Sequence, residues 1–160
     1  YFKATKGQPY RVDGADSPDI GALNKSIEYS KKLLANFPRS KWVDDAYLLW
    51  ARDYLAKGDP LQTVSMLQDF VTRYPGSPLL GEANFYRGVA LRQARQYTQS
   101  VAALDEFLAR SPKRELIPYA QLERARAFKS LGRSEDAANA AGLIVERWSR
   151  SPLAVPARTA

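Results

Sequence analysis

Three pairs of adjacent carboxylates are the residues in this sequence that could carry acid–base chemistry. They are Asp44-Asp45, Asp105-Glu106 and Glu135-Asp136, and the 160-residue chain contains neither histidine nor cysteine. General acid–base catalysis needs titratable groups within reach of one reacting atom. Adjacent residues of a helix point about 100° apart, so no pair forms such a site by itself. The two later pairs are better explained as solvated or first-turn helix residues, where a carboxylate opposes the helix dipole.

Other signatures of catalysis are missing from the sequence. It contains no glycine-rich phosphate loop and no cluster with metal-ligand spacing. We therefore expect no enzymatic activity, no cofactor and no metal, and we expect the function to be one of binding.

Residue types recur along the sequence at a spacing of 37 residues, and the elements that position any binding residue follow this repeat. Prolines recur at this interval, and small residues and large apolar residues keep the same phase. Such periodicity is the sequence signature of a repeat protein. The matching sets are Pro38, Pro75 and Pro112; Ala46, Ala83 and Ala120; Ala51, Gly88 and Ala125; Tyr54, Leu91 and Phe128.

Each unit has the pattern of two helices joined by a tight turn. Apolar residues fall at steps of three and four, and turn-forming residues separate them. The pattern predicts core-facing stripes that include Trp42, Trp50, Tyr54 and Trp148. Helix caps are predicted where Ser or Asp precedes such a stripe, with proline next in several cases. The predicted caps are Ser17, Asp59, Ser77 and Ser134.

The N-terminal part breaks this pattern. Subtracting 37 from Gly58 and Phe70 gives Gly21 and Leu33, so a helix from about 18 to 36 corresponds to the second half of an earlier unit. Its first helix would fall in a stretch with Gly7, Pro9 and Gly14, which disfavour a helix. The predicted organisation is an irregular segment 1–16, a repeat domain 17–150 divided as 17–37, 38–74, 75–111 and 112–150, and a tail 151–160.

Helix hairpins repeated in this way resemble the tetratricopeptide repeat (TPR), over about residues 16 to 150. The small residue of the first helix, the large residue three positions later and the turn at Gly58, Arg95 and Gly132 all match the family. The closing proline matches at Pro75 and Pro112, whereas the third unit has Ser149 there. The resemblance implies an all-α fold, a right-handed α-solenoid of about three full repeats plus a preceding half repeat.

The resemblance also implies a binding surface, because the first helix of each TPR unit lines a concave groove. The family's groove positions give an apolar floor edged by cations, without the Lys/Asn pattern of the chaperone-binding carboxylate clamp. We expect a protein partner, as an extended or helical segment with apolar anchors and some acidic residues. The predicted partner-binding residues are Leu48, Arg52, Phe85, Val89, Arg92, Tyr119, Leu122, Arg126 and Lys129.

Two short motifs resemble a narrower group. Phe37-Pro38-Arg39-Ser40 and Tyr74-Pro75-Gly76-Ser77 are similar to the TPR units of bacterial envelope proteins, including the outer-membrane assembly lipoprotein BamD and the periplasmic Tol-Pal partner CpoB. The third unit departs from this motif, and no cysteine is present to carry a lipid anchor. The resemblance implies a periplasmic or outer-membrane-associated protein, with a cytoplasmic one as the alternative. A start at Tyr1 leaves open a removed signal or anchor.

Two other functions stay open at this point. The chain could be a permanent structural subunit of a larger membrane-associated assembly, docked through its helix edges and irregular ends. The net charge of +7 would also suit nucleic acid or anionic lipid. Lys and Arg are spread along the chain rather than gathered in one run, which disfavours nucleic acid.

Overall fold

Seven α-helices make up the fold, without a β-strand in the parts of the chain that the computed structural model describes, residues 19–110 and 113–147. This confirms the predicted all-α solenoid of helix hairpins. The helices are α1 (Ile20–Asn36), α2 (Val43–Lys57), α3 (Pro60–Arg73), α4 (Leu80–Gln93), α5 (Tyr97–Ala109), α6 (Ile117–Ser130) and α7 (Ser134–Arg147), with a 3₁₀ turn at Arg114–Leu116 before α6.

Each helix packs on the next one along the chain, and the first helix of one unit also contacts the first helix of the next, α2 with α4 and α4 with α6. One helix hairpin cannot bury its apolar face alone, so stacking of units creates the core. The main core runs from α2 to the start of α6, and smaller clusters join α6 to α5 and α7. Within the described residues, no helix is long and apolar enough to cross a bilayer.

The helix N-termini follow the predicted capping chemistry in part. Asp59 caps α3, because its Oδ1 accepts a hydrogen bond from the Gln62 N–H at 3.1 Å while Pro60 is the first helical residue. The cap of α1 is Asp19 rather than Ser17, since the Asp19 Oδ1 accepts from the Ala22 N–H at 3.1 Å. Ser17 lies outside the described residues.

The other two predicted caps take different positions. Ser77 precedes a turn, and α4 starts only at Leu80. The Ser77 Oγ accepts from the Leu79 N–H at 3.1 Å and donates to Asp44 Oδ2 at 2.6 Å, so it ties this turn to α2. Ser134 is the first residue of α7 rather than the residue before it.

The turn inside each hairpin uses a left-handed residue at the predicted position. The φ angles are 85° at Gly58, 63° at Arg95 and 74° at Gly132. Glycine adopts this conformation without the Cβ clash that other residues suffer. The match places all three hairpins on the same 37-residue register.

A small residue allows close contact within each hairpin. A Cβ on Gly88 would lie 2.6 Å from the Leu104 Cγ, and the Ser100 Oγ donates to the Gly88 carbonyl at 2.6 Å. One unit earlier, the Thr63 Oγ1 lies 3.3 Å from the Ala51 carbonyl oxygen, and 2.9 Å from the carbonyl oxygen of Asp59 in its own helix turn. The second helix of each of these units therefore meets the first helix at its small residue.

The change Ala83→Leu is expected to lower the free energy of unfolding by about 1–3 kcal/mol, because Ala83 has no accessible surface and the core has no room for a larger side chain. Chemical denaturation followed by circular dichroism measures this change. Ala102→Leu on the exposed side of α5 is the control and should leave the midpoint nearly unchanged. An equal midpoint for Ala83→Leu and wild type would contradict the packing described.

The predicted domain boundaries stay predictions. The boundaries after residues 16, 111 and 150 fall outside the described residues. Within the described part, α1 precedes the first complete hairpin, which α2 and α3 form.

Candidate functional site

A cavity of about 570 Å³ opens where α1, α2 and the start of α4 meet. Apolar side chains dominate its lining. Two aromatic side chains at its edge are largely exposed, Tyr29 at 60% and Trp42 at 56%. The lining residues are Ser26, Tyr29, Ser30, Leu33, Trp42, Asp45, Ala46, Leu48, Leu49, Arg52, Leu79, Glu82 and Lys113.

Charged groups of both signs border this cavity. The Lys113 ammonium lies 2.6 Å from the Glu82 carboxylate of α4, and both residues line the cavity. The Arg52 guanidinium lies 4.8 Å from the centre of the Tyr86 ring, which is a cation–π distance. Burial raises the pKa of Tyr86 to about 12, so this phenol is neutral at physiological pH. A ligand of this cavity would meet an apolar floor and a rim able to pair with either charge.

Neither exposed aromatic residue is among the predicted binding residues. The prediction that Trp42 belongs to a core stripe is wrong, because this residue precedes α2 and does not follow its helical periodicity. Trp50 and Tyr54 are half-buried against the core, as predicted, and Trp148 lies outside the described residues. The repeat period could have drawn attention to Tyr29. Tyr29 lies 37 residues before Met66, which is buried, whereas Tyr29 is exposed.

Four predicted partner-binding residues have almost no accessible surface. Leu48, Phe85, Val89 and Leu122 are between 0% and 4% exposed and belong to the core. Central first helices have neighbours on several sides, so positions assigned to the groove floor are covered by other helices. These side chains support the predicted binding face from the core below it. Their direct contact with a partner stays a prediction.

Two predicted rim cations share one buried carboxylate. The Arg92 Nε and the Glu123 Oε2 form an ion pair between α4 and α6, and the Arg126 Nη1 lies 3.0 Å from the Glu123 Oε1. Glu123 has no accessible surface. A buried charge is tolerated only when it is paired, so Arg92 and Arg126 contribute to folding. Reversing their charge would therefore disturb the fold as well as any binding.

The three remaining predicted residues lie nearer the surface. Arg52 and Tyr119 are partly exposed, and Lys129 is exposed near the end of α6. Arg52 borders the cavity, whereas Tyr119 packs beside the core and Lys129 lies in the last hairpin. The nine predicted residues are thus distributed over three first helices, and their part in binding stays a prediction.

Members of the Asp105-Glu106 and Glu135-Asp136 pairs form separate ion pairs rather than one site. Asp105 lies 2.7 Å from the Arg124 Nε, and Glu106 lies 3.2 Å from an Arg110 nitrogen. Asp136 pairs with Arg133 at 2.8 Å in the first turn of α7. Over residues 19–110 and 113–147, no group of three or more histidine, cysteine or carboxylate side chains could hold a metal ion.

Asp53 on α2 is a buried carboxylate next to the cavity. It is 7% exposed, and its Oδ2 has no hydrogen-bond partner among the described atoms. Burial raises the pKa of the Asp53 carboxyl, and this outweighs the lowering by the Ser26 hydrogen bond and the Arg52 charge. The charged form is therefore disfavoured in the folded state.

Asp53→Asn is expected to stabilise the protein at pH 7 and to lose this advantage in acid. A folded-state pKa above the unfolded value of about 3.9 means that wild-type stability falls as pH rises between the two values. The difference between variant and wild type should therefore shrink as pH is lowered through that window. Urea denaturation at several pH values measures it, with Asp45→Asn, a carboxylate nearer the surface on the same helix, as control. A pH-independent difference would contradict this account.

Solved structures with the same architecture share little sequence with this chain. The crystal structure of MamA gives a TM-score of 0.68 at 20% identity, over 88% of this chain and 77% of that one. A putative kinesin light chain of Podosopora anserina with nearly identical TPR-like repeats gives 0.67 at 19%, over 86% and 74%. A thermophilic TPR protein in Thermus thermophilus gives 0.65 at 21%, over 88% and 71%. At these identities the likeness concerns the fold alone.

The sequence itself matches a repeat family. A comparison with curated proteins found no match. The tetratricopeptide repeat family matches over residues 48–115 and 91–152, about two thirds of the chain. This match includes two of the three complete hairpins in full, and the repeated left-handed turns give the same register. The chain therefore belongs to the tetratricopeptide repeat family.

Proposed function

We propose that this chain is a non-catalytic scaffold that binds a segment of a partner polypeptide on the face formed by its first helices. Membership of the TPR family supports protein–protein interaction in general. The observation that carries the proposal is the cavity of about 570 Å³ with Tyr29 and Trp42 exposed at its edge. Concave sites with an apolar floor and a few polar groups are the usual form of a binding site.

The partner should present apolar anchors together with acidic groups. Trp42 and Leu49 offer apolar contact area at the cavity, and Arg52 offers a guanidinium at its border. Lys129 offers a second, exposed cation on the first helix of the last hairpin. Aromatic and arginine side chains commonly contribute most to the affinity of an interface. We therefore expect the apolar anchors to determine affinity and the cations to determine orientation.

Crosslinking in native extract, followed by identification of the captured chain, gives the partner for a quantitative test. The variant Arg52→Glu/Lys129→Glu should bind this partner at least about tenfold more weakly, since two favourable charge contacts become repulsive. Lys25→Glu, an exposed cation on α1 outside the cavity lining, is the matched control and should bind normally. Unchanged affinity of the double variant would overturn the assignment of this face.

A second candidate is a permanent subunit of a larger membrane-associated assembly. One observation favours it: Tyr29 on α1 is 60% exposed, and tyrosine is a residue type enriched at interfaces between chains. Light scattering on the isolated chain separates the two functions. A clean monomer fits a reusable binding module, whereas aggregation or obligate co-purification with another chain fits the subunit.

The envelope location is part of the proposal and is supported by the two aromatic-Pro-x-Ser motifs in this sequence. Detection of the native protein in periplasmic, membrane and cytoplasmic fractions tests it. We expect the protein in the first two fractions, and recovery in the cytoplasmic fraction would overturn the location without affecting the binding face.

Nucleic-acid or anionic-lipid binding is the least favoured function. Several of the chain's arginines already form ion pairs with carboxylates, which reduces the cationic surface available to phosphate. Retention on DNA should therefore be weak at physiological salt. Strong retention that falls steeply with added salt would favour nucleic acid instead.

A further inference from the structure

Another cavity, of about 380 Å³, opens between the turns of the first two complete hairpins. The turn between α2 and α3 forms one side, and the end of α4 with the turn into α5 forms the other. None of its six lining residues is acidic, and none of them lines the cavity beside α1. The lining residues are Gly58, Pro60, Arg92, Gln93, Arg95 and Tyr97.

Arg92 belongs to a cluster in which cations outnumber carboxylates. Arg92 and Arg126 both pair with the carboxylate of Glu123, which has no accessible surface. These pairs bring two positive charges and one negative charge together at the crossing of α4 and α6. The cluster therefore favours an anion over a cation in the space beside Arg92.

Arg95 brings a second guanidinium to the cavity. It is exposed, and within residues 19–110 and 113–147 its side chain takes part in no hydrogen bond or ion pair. The carboxylate nearest along the facing turn is that of Asp59, which is not a lining residue. Its Oδ1 accepts from the Gln62 N–H at 3.1 Å and so caps α3. The Arg95 guanidinium is thus available to a ligand.

The backbone at Arg95 has a conformation that glycine adopts more easily. Its φ angle of 63° lies in the left-handed region, and the other two hairpin turns have Gly58 and Gly132 at this position. Residues held in such conformations cluster at binding sites. The arginine three residues earlier is also particular to this unit, since Leu55 and Lys129 take its place in the other two. The repeat architecture therefore does not require this pair of arginines.

The start of α5 adds to the positive potential of the cavity. Tyr97 is the first residue of this helix and lines the cavity. Gln96, the residue before it, makes no side-chain cap hydrogen bond, and the first turn contains no acidic residue. In α3 the equivalent position is Asp59, whose carboxylate supplies the cap. Beside the two arginines, an uncapped helix start gives an anion a further favourable interaction.

We propose that this cavity binds a small oxyanion, a phosphate or carboxylate group, through Arg95 with support from Arg92. The planar fork of N–H donors on a guanidinium matches two oxygens of such a group. The inference goes beyond the proposed binding of a partner segment, because the cavity beside α1 has no part in it. Arg52 and Lys129, which test that function, are not among its lining residues.

Titration of the full chain with sodium phosphate at constant ionic strength, followed by the amide NMR signals, tests the site. The signals of residues 93–98 should shift saturably in wild type. Arg95→Gly should bind phosphate at least about tenfold more weakly, because hydrogen bonds to a charged group are lost. Arg95→Lys keeps the charge and should lose less affinity. Lys25→Ala, an exposed cation on α1, is the control and should bind as wild type does.

Arg95→Gly also separates binding from folding. Without phosphate, its thermal midpoint should equal or exceed that of wild type, because glycine adopts a φ of 63° without a Cβ clash. With phosphate at about ten times the wild-type Kd, the wild-type midpoint should rise by about 3–6 °C. The variant should show about a third of this rise, as expected for tenfold weaker binding.

Three results would overturn the proposal. The first is the lack of a saturable shift at residues 93–98, and the second is equal phosphate affinity of Arg95→Gly and wild type. The third is the same set of shifts with sodium chloride at equal ionic strength, which would indicate general screening. None of these results affects capture of a partner through Arg52 and Lys129, so the two functions fail separately.

Competition identifies the source of the oxyanion once the site has been shown to bind phosphate. Phosphate that releases the captured partner assigns the group to that chain, as an acidic or phosphorylated side chain. Phosphate that leaves capture intact assigns it to a free ion.

Discussion

Phe85→Ala is expected to lower the free energy of unfolding by about 3–5 kcal/mol, because truncating a fully buried aromatic side chain loses its burial and leaves a cavity. Phe85 has no accessible surface, and its ring lies 5.0 Å from Tyr86 and 5.4 Å from Phe107. Its neighbours belong to α4 and α5 in the middle of the stack, where little relaxation can fill the space. A decrease of this size would be a large fraction of the stability of a small domain.

Urea denaturation at neutral pH measures this change. Leu61→Ala is the control, since Leu61 is exposed on α3 and its truncation should change stability by less than about 0.5 kcal/mol. The experiment also separates two roles for Phe85. Loss of partner binding with unaltered stability would indicate a groove residue and would contradict the buried position described.

Arg92→Met is expected to lower stability by about 3 kcal/mol, because it leaves the buried Glu123 carboxylate with only part of its charge compensation. Arg126 stays within 3.0 Å of Glu123, which limits the loss. The double variant Arg92→Met/Glu123→Leu should be more stable than Arg92→Met alone, because it removes the buried carboxylate whose charge is only partly compensated.

The two single variants and the double variant form a thermodynamic cycle whose coupling energy thermal or chemical denaturation can measure. Arg110→Met is the control, since its ion pair with Glu106 is exposed and such pairs contribute about 0–1 kcal/mol. Additive effects of Arg92→Met and Glu123→Leu would show that the two residues do not interact and would contradict the ion pair.

Local features of this fold could be predicted from the sequence because they depend on nearby residues. The cap at Asp59 and the turns at Gly58 and Gly132 follow from backbone geometry that only a few residue types satisfy. The predicted start of α4 lies about two residues too early, since Ser77 uses its hydroxyl in a turn that is tied to α2. That contact spans 33 residues, and no local pattern reveals it.

The binding surface could be predicted only in outline. A central helix such as α4 is buried on most of its circumference, so its residues show no clear separation into groove and core faces. Periodicity therefore could not distinguish Phe85 as a core residue. The pairing of Arg92 and Arg126 with Glu123 depends on the distance between α4 and α6, which the repeat length fixes only after the helices have stacked.

The neighbour-by-neighbour contacts of the seven helices have a consequence for how the molecule opens. Since most contacts of each described helix are with the helices before and after it along the chain, we expect structure to be lost one hairpin at a time rather than in one step. Backbone amides of α1 should then exchange with deuterium sooner than those of α4. A ligand bound in the cavity beside α1 would then also slow exchange in helices that it does not touch.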